Sequence, residues 1–329
     1  MIVHRHIVAI TVAVIACIAA VGVVSYLRYP DQKQPSGLQP QQTASPRADA
    51  DEIKPVTTPP TDVSTPEVRS PSSPALDKSA RTIERMKAVD ALPRIQPSEA
   101  MSALHSILKE PSEDEALRNL VANKLRECGD PNLVADLTAM LWDENETPKW
   151  RNYCVQHLYQ CYADKPDPAV LDTLFQAAEA DERMVRICAV WSLARVATPH
   201  DKSKAPGEET LGKIRALALL ALREKDAHFL ITTAGVQSCA RLGMAEALPD
   251  IRALASSDGT KPVSLRIAAV AALGELKDTE SLPLLERLSR EAAGQLQLAA
   301  RLALKRISEA EARGEATVPP EADRPEDKF

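Results

Sequence analysis

Apolar residues recur along this chain at helical spacing, inside a larger period. With Leu265 of the stretch LRIAAVAALGEL taken as position zero, positions +5, +8 and +11 are apolar. The same frame fits stretches beginning at Leu117, Trp150, Val185, Ile231 and Leu296, with starts 33, 35, 46, 34 and 31 residues apart. The 46-residue step contains the polar run TPHDKSKAPGEE at 198–209, an insertion that accounts for its excess over a period near 34. Position +1 is Arg in four units (Arg118, Arg151, Arg186, Arg266), and +5 becomes Arg301 in the last. An Arg recurring at one position predicts a structural ladder to carbonyls or acids of neighbouring turns.

A unit of this length holds two helices of about 12 residues and two short turns. The second helix is visible as apolar residues at spacings of three and four: Leu133, Leu137 and Leu141; Leu171, Leu174 and Ala178; Leu282, Leu285 and Leu288. Asp130-Pro131 and Asp167-Pro168 predict helix starts with a capping carboxylate and a first-turn proline, and Gly129 and Gly243 fall where left-handed C-terminal caps belong. No window alternates at period two, so no sheet is predicted. A hairpin with an apolar stripe on both helices cannot bury it alone, and stacking copies side by side does. The predicted fold is all-α, an α-solenoid of stacked helical hairpins over 112–312.

VRICAVWSLARV at 185–196 and LRIAAVAALGELKDTESLPLLERL at 265–288 resemble HEAT repeats, in particular the short HEAT-like subtype also found in phycobilin lyase subunits. The resemblance covers about 112–307, and the ladder of small residues with Arg at +1 is its more specific part. It implies a right-handed solenoid of paired helices and a protein-binding scaffold more often than an enzyme. Fold analogy alone is a weak warrant for function.

The flanks differ in kind. Residues 79–111 have helical spacing but fit the frame poorly, and read as an N-terminal capping hairpin. From 313 to 329 the chain is acidic and poor in apolar residues, which predicts a disordered tail. After a six-residue N-terminal tail, residues 7–27 carry no charge, and a helix of that length spans ~31 Å, matching a hydrocarbon core of ~30 Å. Tyr26 and Tyr29 stand at its end as interfacial aromatics do. Three readings compete: an uncleaved transmembrane anchor, a cleaved signal peptide, and a lipoprotein signal with Cys17 of VIAC as the lipidated residue. The apolar run continues ten residues past Cys17, which favours the anchor. Residues 28–78 form a linker in which 30–79 holds ten prolines and no aromatic residue, too little apolar surface to offset ordering entropy. It is expected to be a disordered tether reaching between ~40 and ~150 Å. Positive-inside counting is nearly silent. The short N-terminal tail suits a single-pass signal anchor in the cytoplasmic membrane with its body exported.

Candidate chemistry is sparse. Five cysteines follow the anchor, and Cys128, Cys154, Cys161, Cys188 and Cys239 all fall on or beside the inward stripe, where a thiol packs as a small hydrophobe. The histidines His105, His157, His200 and His228 form neither the His-Glu pairs of helical di-iron hydroxylases nor a zinc motif, and no phosphate-cradling glycine loop occurs. No cofactor or metal is expected. The solenoid's net charge is near −2 without a basic stripe, which argues against nucleic acid as a partner.

A protein partner is expected instead. If the second helix of each hairpin lines the inner face, its polar positions (Asp136, Asp172, Gln176, Lys213, Asp250, Arg252, Glu286 and Arg287) are candidate contacts. Five of the eleven aromatic residues fall within 142–162, as Trp142, Trp150, Tyr153, Tyr159 and Tyr162, and mark a candidate patch. Trp150 at position zero also suits the core. Tyr159 at +9 stands where other units carry Arg126, Ala194, Ala240, Gly274 and Lys305, types that suit an exposed site. These features predict a membrane-tethered, non-catalytic scaffold. The alternative is a lyase-like or chaperone-like subunit whose partner supplies the chemistry.

Overall fold

The computed structural model describes residues 75–314 apart from 76, 95–97, 226, 258 and 260. The apolar run 7–27, the linker as far as residue 74 and the tail from 315 lie outside the described residues, as do the expectations that fall on them. Among the described residues no helix is long and apolar enough to cross a membrane.

Thirteen α-helices and no strand are found among the described residues. They are α1 (Thr82–Asp90), α2 (Ser98–Leu108), α3 (Glu115–Glu127), α4 (Leu133–Trp142), α5 (Pro148–Asp164), α6 (Pro168–Ala178) and α7 (Arg183–Ala197). After the insertion come α8 (Glu208–Arg223), α9 (Phe229–Arg241), α10 (Leu248–Ser256), α11 (Val263–Glu275), α12 (Leu282–Glu291) and α13 (Gly294–Ala312). Every odd-numbered helix packs against the next odd-numbered one, forming a continuous row. The even-numbered helices cover one side of that row, each chiefly on the odd helix that follows it, and make no comparable contact with one another. One apolar core runs through the stack from Ala75 to Ile307.

The repeat frame explains this packing residue by residue. The +5 residues Ala122, Val155, Val190, Val236 and Val270 are all buried, whereas Arg301 is exposed. No further helix among the described residues packs on α13, so its +5 position meets solvent and carries a charge. Where helices come closest, side chains shrink: within the row a Cβ on Gly274 would lie 2.6 Å from the Ala303 Cα, and between row and covering helix one on Gly235 of α9 would lie only 2.3 Å from the Leu222 backbone nitrogen on α8.

The arginine ladder is present in three of the four units that carry Arg at +1 and extends one unit earlier, to Arg85, whereas Arg266 leaves its buried Nε without a hydrogen-bond partner. Arg118 donates from Nε to the Leu108 carbonyl at 2.8 Å and from Nη1 to Glu146 at 2.8 Å. Arg85 repeats both contacts one unit earlier, to the Ala75 carbonyl at 2.9 Å and to Glu113 at 2.7 and 2.8 Å. Arg151 keeps the carbonyl bond, to Leu141, and Arg186 keeps the acid, Glu224. Residues 79–111 therefore carry a ladder rung and a row helix, α1, followed by the covering helix α2 that packs on α3. Ala75 is buried and Lys78 pairs with Glu110, so packed chain begins within the stretch assigned by sequence to the linker.

Helix ends follow local chemistry. Gly129 and Gly243 take φ of 69° and 65°, and Lys277 occupies the equivalent position at 58°. At each, the following amide returns to a carbonyl of the last turn: Asp130 to Leu125, Met244 to Cys239, Asp278 to Leu273. Asp167 caps α6 by accepting from the Ala169 amide, with Pro168 in the first turn as predicted. Asp130-Pro131 does not start α4. Its carboxylate accepts from the Asn132 amide in a preceding turn and the helix begins at Leu133. The insertion forms a short 3-10 turn at Lys202–Lys204 and folds back, where Lys204 donates to the Ala163 and Asp164 carbonyls at the C-terminus of α5.

Candidate functional site

The face of α5, α7 and α9 opposite the core carries a cavity of about 180 Å³. On α7 the core stripe is Val185, Ala189, Leu193 and Val196, and the cavity stripe is Met184, Ile187, Trp191 and Arg195, on the other side of the same helix. One wall comes from α5, with Gln156, Tyr159 and Gln160. The other comes from α9, with Leu230, Thr233 and Gln237.

Trp191 keeps 36% of its surface exposed while its indole lies 4.7 Å from the Arg195 guanidinium. The same guanidinium stacks on Tyr159 at 4.3 Å, so Arg195 sits between two aromatic faces. Burial lowers the Arg195 pKa, the neighbouring Tyr159 opposes that shift and the like charge of Arg241 adds to it. Arg195 is the one charged residue lining this cavity, and no carboxylate of the described residues pairs with it. A second cavity of about 180 Å³ shares Tyr159 and Arg195 and continues past Tyr162 and Pro199 to Lys204 and Asp201. Asp201 accepts from the Ser203 amide at 3.0 Å and hydroxyl at 2.7 Å, which holds its own turn.

The aromatic cluster at 142–162 divides. Trp150 is fully buried, its ring under the Arg118 guanidinium at 4.1 Å and against Tyr153 at 6.0 Å. Tyr153 and Tyr162 are also buried, and Trp142 is exposed at the end of α4. Only Tyr159 and Tyr162 reach the cavities. The expectation that position +9 suits an exposed residue fails in three units, because Ala194, Ala240 and Gly274 there are buried between helices. They are small because the row is tight there, and Tyr159 fits by turning its ring beneath Arg195.

The polar candidates of the second helices also lie elsewhere than predicted. Asp136, Asp172, Gln176, Lys213, Asp250, Arg252, Glu286 and Arg287 are on α4, α6, α8, α10 and α12, the covering helices, and not on the open face of the row. The hairpin runs covering helix first and row helix second, so the frame that began at the row helix inverted the two. Several of these residues have structural partners: Asp136 holds His105 at 2.7 Å and Lys109 at 2.7 Å, Asp250 holds Arg223 at 2.8 Å, and Arg252 holds Asp278. Asp172, Gln176, Lys213, Glu286 and Arg287 are exposed.

Trp191 and Arg195 went unread in the sequence. They occupy +6 and +10, where neighbouring units carry Asn123, Gln156 and Gln237 at +6 and Glu127, Gln160 and Arg241 at +10. This amide-rich row was the available signal, and it marks the open face once the row helix is known to be the inner one.

The remaining candidate chemistry is packing. All five described cysteines are free thiols, and burial pushes Cys154 and Cys239 up to about 12 and Cys161 up to about 11, far from a thiolate at neutral pH. His157 is buried with Nε2 2.8 Å from Asn119 Oδ1. Burial, aided by the charge of Arg126, lowers its pKa to about 4.

The fold and this face define a helical-repeat protein with an aromatic and amide-lined groove. No family model matches the chain, and no curated protein matches it. Among solved structures, human deoxyhypusine hydroxylase in complex with glycerol is similar at 14% identity, over 73% of this chain and 95% of that one, with a TM-score of 0.32. A likeness at that level carries no functional argument.

Proposed function

We propose that this chain is a membrane-tethered, non-catalytic HEAT-type scaffold that holds a partner protein in the groove across α5, α7 and α9. The observation that carries the reading is an indole left exposed on the open face, beside a guanidinium stacked between two rings and flanked by glutamines. Trp, Tyr and Arg dominate binding energy at interfaces, and amides that both donate and accept suit the main chain of an extended segment. The apolar run at 7–27 and the proline-rich stretch after it supply the anchor and the tether in this reading, with the helical body exported.

Two experiments test it. Trp191→Ala and Tyr159→Ala should leave the melting temperature within a few degrees and abolish a discrete crosslinked adduct that Glu286→Ala on α12 retains. Loss of folding in both variants would return the rings to the core. A reporter active only after export, fused after Pro74, should be active with the protein in the carbonate-washed membrane fraction. Activity of a cytoplasmic reporter at that site would reverse the orientation.

A further inference from the structure

Arg195 is expensive where it stands. A cation moved out of water onto an apolar surface is ordinarily matched by a carboxylate. Here the rings of Tyr159 and Trp191 take that place and compensate only in part. The next arginine along the open face, Arg241 on α9, spends its Nε on the Thr198 hydroxyl at 2.7 Å. Lys204, in the adjoining cavity, is engaged by main-chain carbonyls. Of the carboxylates around them, Asp164 is held by Arg126 at 2.6 Å and Asp201 by its own turn. Two cations, Arg195 and Lys204, thus line the groove, with Arg241 close enough to repel Arg195, and the first cavity has no acid in its lining, in a chain of net charge −6.

Geometry narrows the ligand further. Trp191 and Arg195 are four residues apart on α7, about 6 Å along the helix axis. In an extended peptide, side chains on one face recur every two residues, about 6.6 Å apart. A strand lying along α7 between the walls of α5 and α9 therefore presents one side chain to the guanidinium and the next on that face to the indole, Ile187 and Leu230.

We propose that the groove takes an extended acidic segment of a partner protein, with a carboxylate on Arg195 and an aliphatic residue two positions away against Trp191. This rests on the groove being a protein-binding site and adds the chemistry of what it binds. The carboxylate meets the open edge of the guanidinium while the rings hold its faces, so the fork is oriented before the ligand arrives. The glutamines Gln156 and Gln237 stand on opposite walls of the groove. A polyanion such as single-stranded nucleic acid fits less well, because only two cations, Arg195 and Lys204, line the groove of a chain whose net charge is −6.

The test uses the full-length chain in mild detergent and fluorescein-labelled Gly-Ser peptides of about ten residues carrying two Glu-x-Leu units. Gln-x-Leu and Lys-x-Leu peptides, a peptide of this chain's residues 315–329 and an oligothymidylate serve as comparators. Fluorescence anisotropy should show the Glu-x-Leu peptide binding at least about tenfold more tightly than the Gln-x-Leu peptide. That preference should shrink as salt is raised and disappear in Arg195→Gln. If Arg195→Gln does not fold, Arg195→Lys should keep part of the preference and lose affinity. A preference for Lys-x-Leu, a charge-blind response, or a Glu preference that survives Arg195→Gln would overturn the acidic assignment while leaving a peptide groove standing. Tighter binding of residues 315–329 or of the oligothymidylate would replace the partner segment with that occupant. Failure of every peptide would overturn the groove itself.

Discussion

At the scale of single residues, two buried polar groups make the most specific demands. Arg118 and Glu146 are both sequestered from water, and their attraction must offset the desolvation of two charges. Arg118→Met leaves the carboxylate buried without its partner and is expected to cost about 3–5 kcal/mol in urea unfolding. Adding Glu146→Leu should recover most of that loss. If the double variant were as unstable as the single one, the pair would be contributing more than mutual compensation. His157 makes a demand on pH. Its folded pKa of about 4 lies below the unfolded value near 6.5, so the folded state resists a proton that the unfolded state accepts. Its neutral form is matched to the fold above pH 6.5, and stability is lost as pH falls from there towards 4. The loss is on the order of 3 kcal/mol at the lower end. His157→Gln cannot titrate, so the stability difference between wild type and variant should tilt against the wild type across that window. A difference flat with pH would mean that His157 is hydrated in the folded protein.

At the scale of helices, the packing is set by how closely neighbours approach, within the row and between a row helix and its cover. Gly235→Ala would push a methyl into the backbone of α8 and should destabilise by at least about 1–3 kcal/mol. Gly212→Ala, within α8 with no heavy atom within 4 Å of the new methyl, should stabilise by about 0.5–1 kcal/mol. Equal thermal shifts in the two variants would contradict the close approach at Gly235. The same elements show what a sequence can and cannot reveal. The apolar frame at +5, +8 and +11 identified the row helices because burial between repeats enforces it, and Gly129 and Gly243 marked helix ends because only left-handed backbone closes those turns. Lys277 closed the third such turn without a glycine and was invisible. Which of two amphipathic helices faces inward is not encoded in either stripe, since both bury an apolar face. It is decided by which helices pack on their counterparts in the next unit, a contact between residues some 34 positions apart. That is why the polar candidates lie on the covering helices, and why Trp191 and Arg195 carry no mark in the sequence while Tyr159, beside them in space, does.

At the scale of the whole molecule, stacking leaves the covering helices spaced and the row helices in mutual contact, so the open face of the row is where side chains from three successive units close around one cavity. Convergence is what lets residues from α5, α7 and α9, separated by up to 85 positions between Asn152 and Gln237, line one cavity. A repeat array needs no catalytic constellation to use such a surface. It needs a rigid floor, supplied by the continuous core and the arginine ladder beneath it, and a few large side chains left uncovered. The most direct measurement of this account is photocrosslinking from the full-length protein in its native membrane, with a photoreactive phenylalanine analogue at Trp191 on the open face or at Glu286 on the covering side. The account predicts a discrete adduct from position 191 that Arg195→Gln removes, and none from position 286. Adducts from position 286 alone would contradict it and place recognition on the covering helices.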